Sequence, residues 1–198
     1  MTSSMGNTRS RDPGENIEQD HPYPSSRSEY SRFDVERELA FYGSYHATKG
    51  NKIIHFIFIP QIVWSTLILA AHLPFPGSHP ITLVPGFTFQ LNLALLLTIG
   101  GQAYYLLLDL PAGLLSSPVS LSMCFTATYL YAHPPSWLPY ASSSVPFGWM
   151  MFTSSWIFQF IGHGVFEHRA PALMDNLVQA LLLAPFFVFL QMMFSVFG

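Results

Sequence analysis

Charge is scarce in this sequence. Asp, Glu, Lys and Arg make up 10% of its 198 residues, while 50% are hydrophobic. A soluble domain carries about 25% charged residues. The scarcity is also regional: none of the four occurs from Ile53 to Leu108, or from Leu110 to Phe166. An ordinary soluble fold cannot sustain such runs, because its outer faces have to meet water. Cysteine is nearly missing too. The single Cys124 excludes an intrachain disulfide and any cysteine-based metal site, and it reads as an embedded structural thiol. There is no basic excess: the formal net charge is −3 and the pI about 6.2. That excludes a nucleic-acid binder of the basic-stripe type. Finally, the polar stretch Met1–Arg32 has neither an apolar core nor a small-residue cleavage site. No secretory signal peptide is expected, so membrane insertion should begin at the first spanning helix.

What is present is a series of long apolar runs. An α-helix needs about 20 residues to cross a bilayer core of about 30 Å. Five segments meet or approach that length: Ile53–His72, Phe87–Leu108, Leu114–Ala132, Phe147–Phe166 and Leu173–Phe197. Pro60, Pro118 and Pro185 interrupt three of them, and Pro60 predicts a kink. The expected fold is therefore all-α: a polytopic membrane helix bundle of about five transmembrane helices, with one segment re-entrant if only four cross. Asp34–His46 predicts a short amphipathic helix along the membrane face, with Asp34 at its start and Leu39, Tyr42 and His46 at helical spacing. Lys49-Gly50-Asn51-Lys52 is expected to break it. Leu73–Gly86 and His133–Pro146 read as loops, and Asp109–Gly113 as a tight turn. Residues 1–32, with breakers such as Asp12-Pro13-Gly14, read as a disordered polar tail. Residues 33–198 read as the membrane-embedded domain.

Basic residues set the orientation. Seven of the eight precede the first span, and the eighth, Arg169, lies between the fourth and fifth. A cytosolic N-terminus accounts for both. This sorts the eight histidines. His21 is in the tail, and His72, His79 and His133 fall at the far face. His46, His55, His163 and His168 fall at the cytosolic face. His163 and Glu167 are four apart and share one helix face; either they ligate a metal or they form a hydrogen-bonded pair locking the helix end. His55 sits a turn inside the first span, where an ionisable group needs a partner. The chain break before it lets His46 fold back beside it. His168 reads as a solvated residue, Gln159 as a group orienting His163, and Asp175 and Asn176 as caps of the fifth span. Tyr42, Tyr45, Trp64, Trp149 and Trp156 read as interfacial anchors or packing. His46, His55, His163 and Glu167 thus supply three imidazoles and a carboxylate at one membrane level. Iron or zinc accepts such a set.

The residues that carry this pattern also resemble a known family. Phe41-Tyr42-x-x-Tyr45-His46, Asn51–Pro60 (NKIIHFIFIP), Leu110–Leu115 (LPAGLL) and Trp156–Leu181 (WIFQFIGHGVFEHRAPALMDNLVQAL) are similar to the fungal MPO-type 2-hydroxy fatty acid dioxygenases. The resemblance runs from Phe41 to the C-terminus. It implies a multi-pass protein of the endoplasmic reticulum membrane. It also implies an Fe(II)-dependent α-oxidation, in which O2 shortens a 2-hydroxy fatty acid from phytosphingosine breakdown by one carbon. The catalytic and metal-binding residues would be His46, His55, His163 and Glu167. Two departures stand out. Ala47 follows His46 where the family often has a second histidine, and Ser116–Gly148 is richer in Pro and Ser. The second points to a tailoring enzyme on another hydrophobic substrate as the alternative. A non-enzymatic lipid-handling or scaffold protein is the other.

Overall fold

The computed structural model describes residues 35–44, 46–85, 87–138, 142–168 and 181–197. The expected tail, Asp34, Tyr45, Arg169, Asp175 and Asn176 lie outside them. The described part is mostly helical. Helix α1 is Val35–Ser44, α2 is Lys49–Ala71, α3 is Leu93–Leu108, α4 is Leu110–Ala132 and α5 is Val145–Ile161. A π-helix, Gly162–Glu167, extends α5, and α6 is Ala184–Phe197. Strands β1 (Ile81–Val84) and β2 (Phe87–Phe89) form one antiparallel hairpin.

Several expected boundaries move, each for a local reason. Lys49–Lys52 does not break the chain but forms the first turn of α2. Thr48 caps that turn, its hydroxyl accepting from the Asn51 N–H. The break falls earlier, after α1. Helix α2 then runs without interruption through Pro60. The expected loop from Leu73 carries strand β1, and the expected second span gives up Phe87–Phe89 to strand β2. Helix α3 consequently begins at Leu93, where the Asn92 side chain accepts from the Leu95 N–H. The tight turn shrinks to Asp109 alone. That residue ends α3 and caps α4, accepting from Ala112 N–H at 2.8 Å. Pro118 stays inside α4. Pro185 lies in the first turn of α6, where a missing N–H costs nothing.

Helix α2 is the hub: α3, α4, α5, the π-helix and α6 all pack on it. Two apolar cores result. One gathers Tyr42, Ile59, Leu108, Ala112 and Phe186–Val188. The other gathers Leu67, Ile68, Ala71, Ala94, Cys124 and Ala127. Among the described residues, α2 and α4 are long and apolar enough to cross a membrane. Yet only 33% and 28% of their apolar stretches are buried inside the protein. Ile53, Ile57, Leu114, Leu115 and Leu121 are each more than half exposed. Exposed apolar faces of that extent call for an apolar surrounding.

Candidate metal centre

The site is assembled where α1, α2 and the π-helix meet. His46 lies in the link after α1, His55 two turns into α2, and His163 in the π-helix. All three are buried, at 3–4% exposure. Ring centroids are 4.3 Å apart for His46 and His55, 4.9 Å for His55 and His163, and 5.2 Å for His46 and His163. One ligand nitrogen from each ring lies within 4.8 Å of the other two. Metal–nitrogen bonds of about 2.0–2.1 Å put the ligand nitrogens of one ion within about 4 Å of one another, so the three rings stand close to binding separation.

Two of the rings are held in the tautomer a metal needs. The His46 Nδ1 lies 2.6 Å from the Tyr42 carbonyl, and the His55 Nδ1 lies 2.9 Å from the Asn51 carbonyl. A carbonyl only accepts, so both Nδ1 atoms carry the proton and both Nε2 atoms keep a lone pair. This is how metal-bound histidines are commonly oriented. Burial also pushes the His46 imidazole down to about 4, against the opposing pull of the Tyr42 carbonyl. It is neutral at physiological pH, the form that binds metal. The Tyr42 ring stacks on His46 at 3.9 Å between centroids, and the Tyr42 phenol oxygen is buried without a hydrogen-bond partner among the described residues.

Glu167 stands beside this group and faces the start of α2. Its Oε1 accepts from the Thr48 N–H at 2.9 Å, the Thr48 hydroxyl at 2.8 Å and the Asn51 side-chain amide at 3.3 Å. Burial pulls the carboxyl upward, but these three donors outweigh it and hold Glu167 below the usual carboxylate range. Glu167 is not part of the convergent nitrogen set. The π-helix, closed by His168 in the left-handed region at φ 52°, turns both His163 and Glu167 towards α2 at neighbouring levels. His163 reaches the imidazoles and Glu167 reaches the cap. Thr48 and Asn51 are functional neighbours that spacing did not mark. The signal was there in Thr-x-x-Asn opening an apolar run.

Close packing permits this. A Cβ on Gly162 would lie 2.5 Å from the Asn51 Oδ1, and one on Gly50 would lie 2.5 Å from the Phe166 ring. Asn51 is fully buried. Gly162→Ala is therefore expected to push Asn51 off Glu167 and the His55 contact, destabilising the protein by about 1–3 kcal/mol. It should lower the metal content as well. Thermal melts and metal analysis of the purified variant check this.

The other candidates fall elsewhere. His72 caps the opposite end of α2, bonding the Ile68 carbonyl at 2.8 Å and contacting Ser144 Oγ at 3.3 Å. His133 stacks on Tyr129, and His79 and His168 are exposed. Trp64 donates to Thr126 Oγ1 at 2.9 Å, and Trp149 is exposed. Trp156 packs on Phe152 and Phe160. The Nε2 of Gln159, a residue expected to orient His163, is buried without a hydrogen-bond partner among the described residues.

Comparison with known proteins bears on the same stretch of chain. Residues 33–196 match the family described as 2-hydroxy-palmitic acid dioxygenase Mpo1-like. The 2-hydroxy-palmitic acid dioxygenase MPO1 of Saccharomyces cerevisiae is 36% identical over 162 residues, covering 82% of this chain and 81% of the yeast protein. No solved structure matches. On the extent of the family match and the identity to the yeast protein, the chain belongs to the 2-hydroxy-palmitic acid dioxygenase Mpo1-like family.

Proposed function

We propose that this protein is a membrane-embedded, Fe(II)-dependent dioxygenase that shortens 2-hydroxy fatty acids by one carbon, in the breakdown of phytosphingosine-derived lipids. The observation that carries the proposal is the buried group His46, His55 and His163, two of whose rings are pinned to backbone carbonyls. Three imidazoles leave positions open for an oxygen-donor substrate and O2. The name of the yeast relative supplies the substrate class. His46, His55 and His163 would hold the ion, which contributes O2 and Lewis-acid chemistry when bound.

The chain's own residues do the rest. The Tyr42 and Asn51 carbonyls fix the imidazoles. The Phe186–Val188 core walls the site from water, and the apolar faces of α2 and α5 offer a lipid-like path for an acyl tail. The overall reaction balances without an external reductant: RCH(OH)COOH and O2 give RCOOH, CO2 and H2O. The iron rather than zinc assignment rests on the oxygenase chemistry, because the donor set accepts both.

The exposed apolar helix faces support a membrane-embedded protein, which we assign to the endoplasmic reticulum as a multi-pass protein. In this arrangement α2, α3, α4, α5 with its π-helix, and the segment ending in α6 give about five crossings. Residues 33–198 form the membrane domain, residues 1–32 a polar tail, and the N-terminus is cytosolic. The test uses the full chain purified in detergent with Fe(II) and 2-hydroxypalmitate. The expected result is O2 uptake with formation of the C15 acid. A folded, metal-loaded protein that consumes no O2 would overturn the assignment. In that case, turnover of a different hydrophobic acid would favour a tailoring enzyme. A protein that binds no metal at all would favour lipid handling.

A further inference from the structure

Two buried polar groups next to the histidines have no hydrogen-bond partner among the described residues. The first is the Tyr42 hydroxyl. Tyr42 is 8% exposed, and its ring stacks on His46 at 3.9 Å and 20°. The second is the Gln159 side-chain amide. Gln159 is 5% exposed and lies on α5 one helical turn before His163. Each flanks a different imidazole of the same cluster. A buried donor left without an acceptor destabilises the fold, and native folds seldom retain one without a use. Leu or Phe at these positions would serve packing better. The Tyr42 phenol O–H and the Gln159 Nε2 can both donate, and neither has an acceptor among the described residues.

The substrate class supplies what is missing. A 2-hydroxy acid brings a carboxylate and a hydroxyl, both oxygen-rich, to a site walled by apolar side chains. A carboxylate leaving water needs donors as well as a cation. We propose that Tyr42 and Gln159 are head-group ligands: the phenol O–H and the amide N–H donate to the oxygens of the 2-hydroxy carboxylate when it docks at the histidine centre. They are therefore the specificity-determining residues that distinguish an acid from a neutral lipid. This rests on the proposed function for the substrate class, and on the structure for the two residues.

The test compares wild type, Tyr42→Phe and Gln159→Leu as full chains in detergent. Binding of 2-hydroxypalmitate is measured against hexadecane-1,2-diol, which keeps the tail and the 2-hydroxyl but carries a neutral hydroxyl in place of the carboxylate. Titrations are run on metal-free protein and on protein holding redox-inert Zn(II), so no turnover enters the readout. Each variant is expected to bind the acid about 10-fold or more weakly, with diol binding unchanged. Its metal content should match wild type, and its melting temperature should be equal or higher, because an unpartnered buried group has been removed. In turnover assays, KM should rise more than kcat falls.

Acid binding equal to wild type in both variants would overturn the assignment while leaving the proposed function intact. A wild type that neither binds nor turns over the acid would overturn both. A lower melting temperature for Tyr42→Phe would show that the hydroxyl serves the fold, and would remove Tyr42 from the pair.

Discussion

His163→Ala is expected to abolish measurable turnover, a loss of at least about 100-fold, and to strip most of the metal from the purified protein. Residues that merely support a ligand cost 10–100-fold when removed, and a ligand itself lies at or beyond the upper end. The effect should be specific. His163 sits at the helix end rather than in either apolar core, so the variant should still insert and keep its helical content. The same loss is expected for His46→Ala and His55→Ala. Combining two of them should add little, because groups that act as one unit are strongly non-additive. Metal analysis after dialysis, beside O2 uptake, provides the check. Full metal occupancy in any of the three variants would remove that histidine from the centre.

The three imidazoles were legible in the sequence because charge was not. With no Asp, Glu, Lys or Arg inside the long apolar runs, each histidine near a run had to be explained. The basic residues then sorted those of one face from those of the other. In the structure His46, His55 and His163 converge, while His72 caps the opposite end of α2. What spacing could not give was the type of helix at Gly162–Glu167. An i, i+4 pair reads as one ligand face on an α-helix. In the structure His163 joins the other imidazoles, while Glu167 accepts from the Thr48–Asn51 cap.

The limits of the helices were less legible, for a related reason. Apolar content sets how long a run is, but caps set where a helix starts. Asn92 moved the start of α3, Asp109 joined α3 to α4, and Thr48 turned an apparent break into a first turn. Each of these short polar residues looks unremarkable until its side chain is seen on a backbone N–H. The β-hairpin was hidden in the same way. Phe87-Thr88-Phe89 is apolar enough to extend a helix, yet it pairs with Ile81–Val84 because Pro and Gly between them favour a turn.

Glu167 carries the second large expected effect, and its variants separate two roles. One oxygen of this carboxylate takes three donors, all from the segment that joins His46 to His55. Asn51 uses its side chain on Glu167 and its carbonyl on His55. Glu167 therefore ties the π-helix carrying His163 to the stretch carrying the other two histidines. Glu167→Ala should cost about 1–3 kcal/mol, scaled for a partly exposed group whose hydrogen bonds are charge-assisted. It should weaken metal binding about 10–100-fold, as loss of a supporting group does. Glu167→Gln keeps an oxygen acceptor of the same size and is expected to retain the metal with a lower melting temperature. A ligand carboxylate would behave differently: its replacement by Gln would strip the metal as His163→Ala does. The two substitutions, read by metal content and melting temperature together, decide whether Glu167 binds the ion or holds the histidines that do. The hydrogen bonds to Thr48 and Asn51 are the observation that favours the second role.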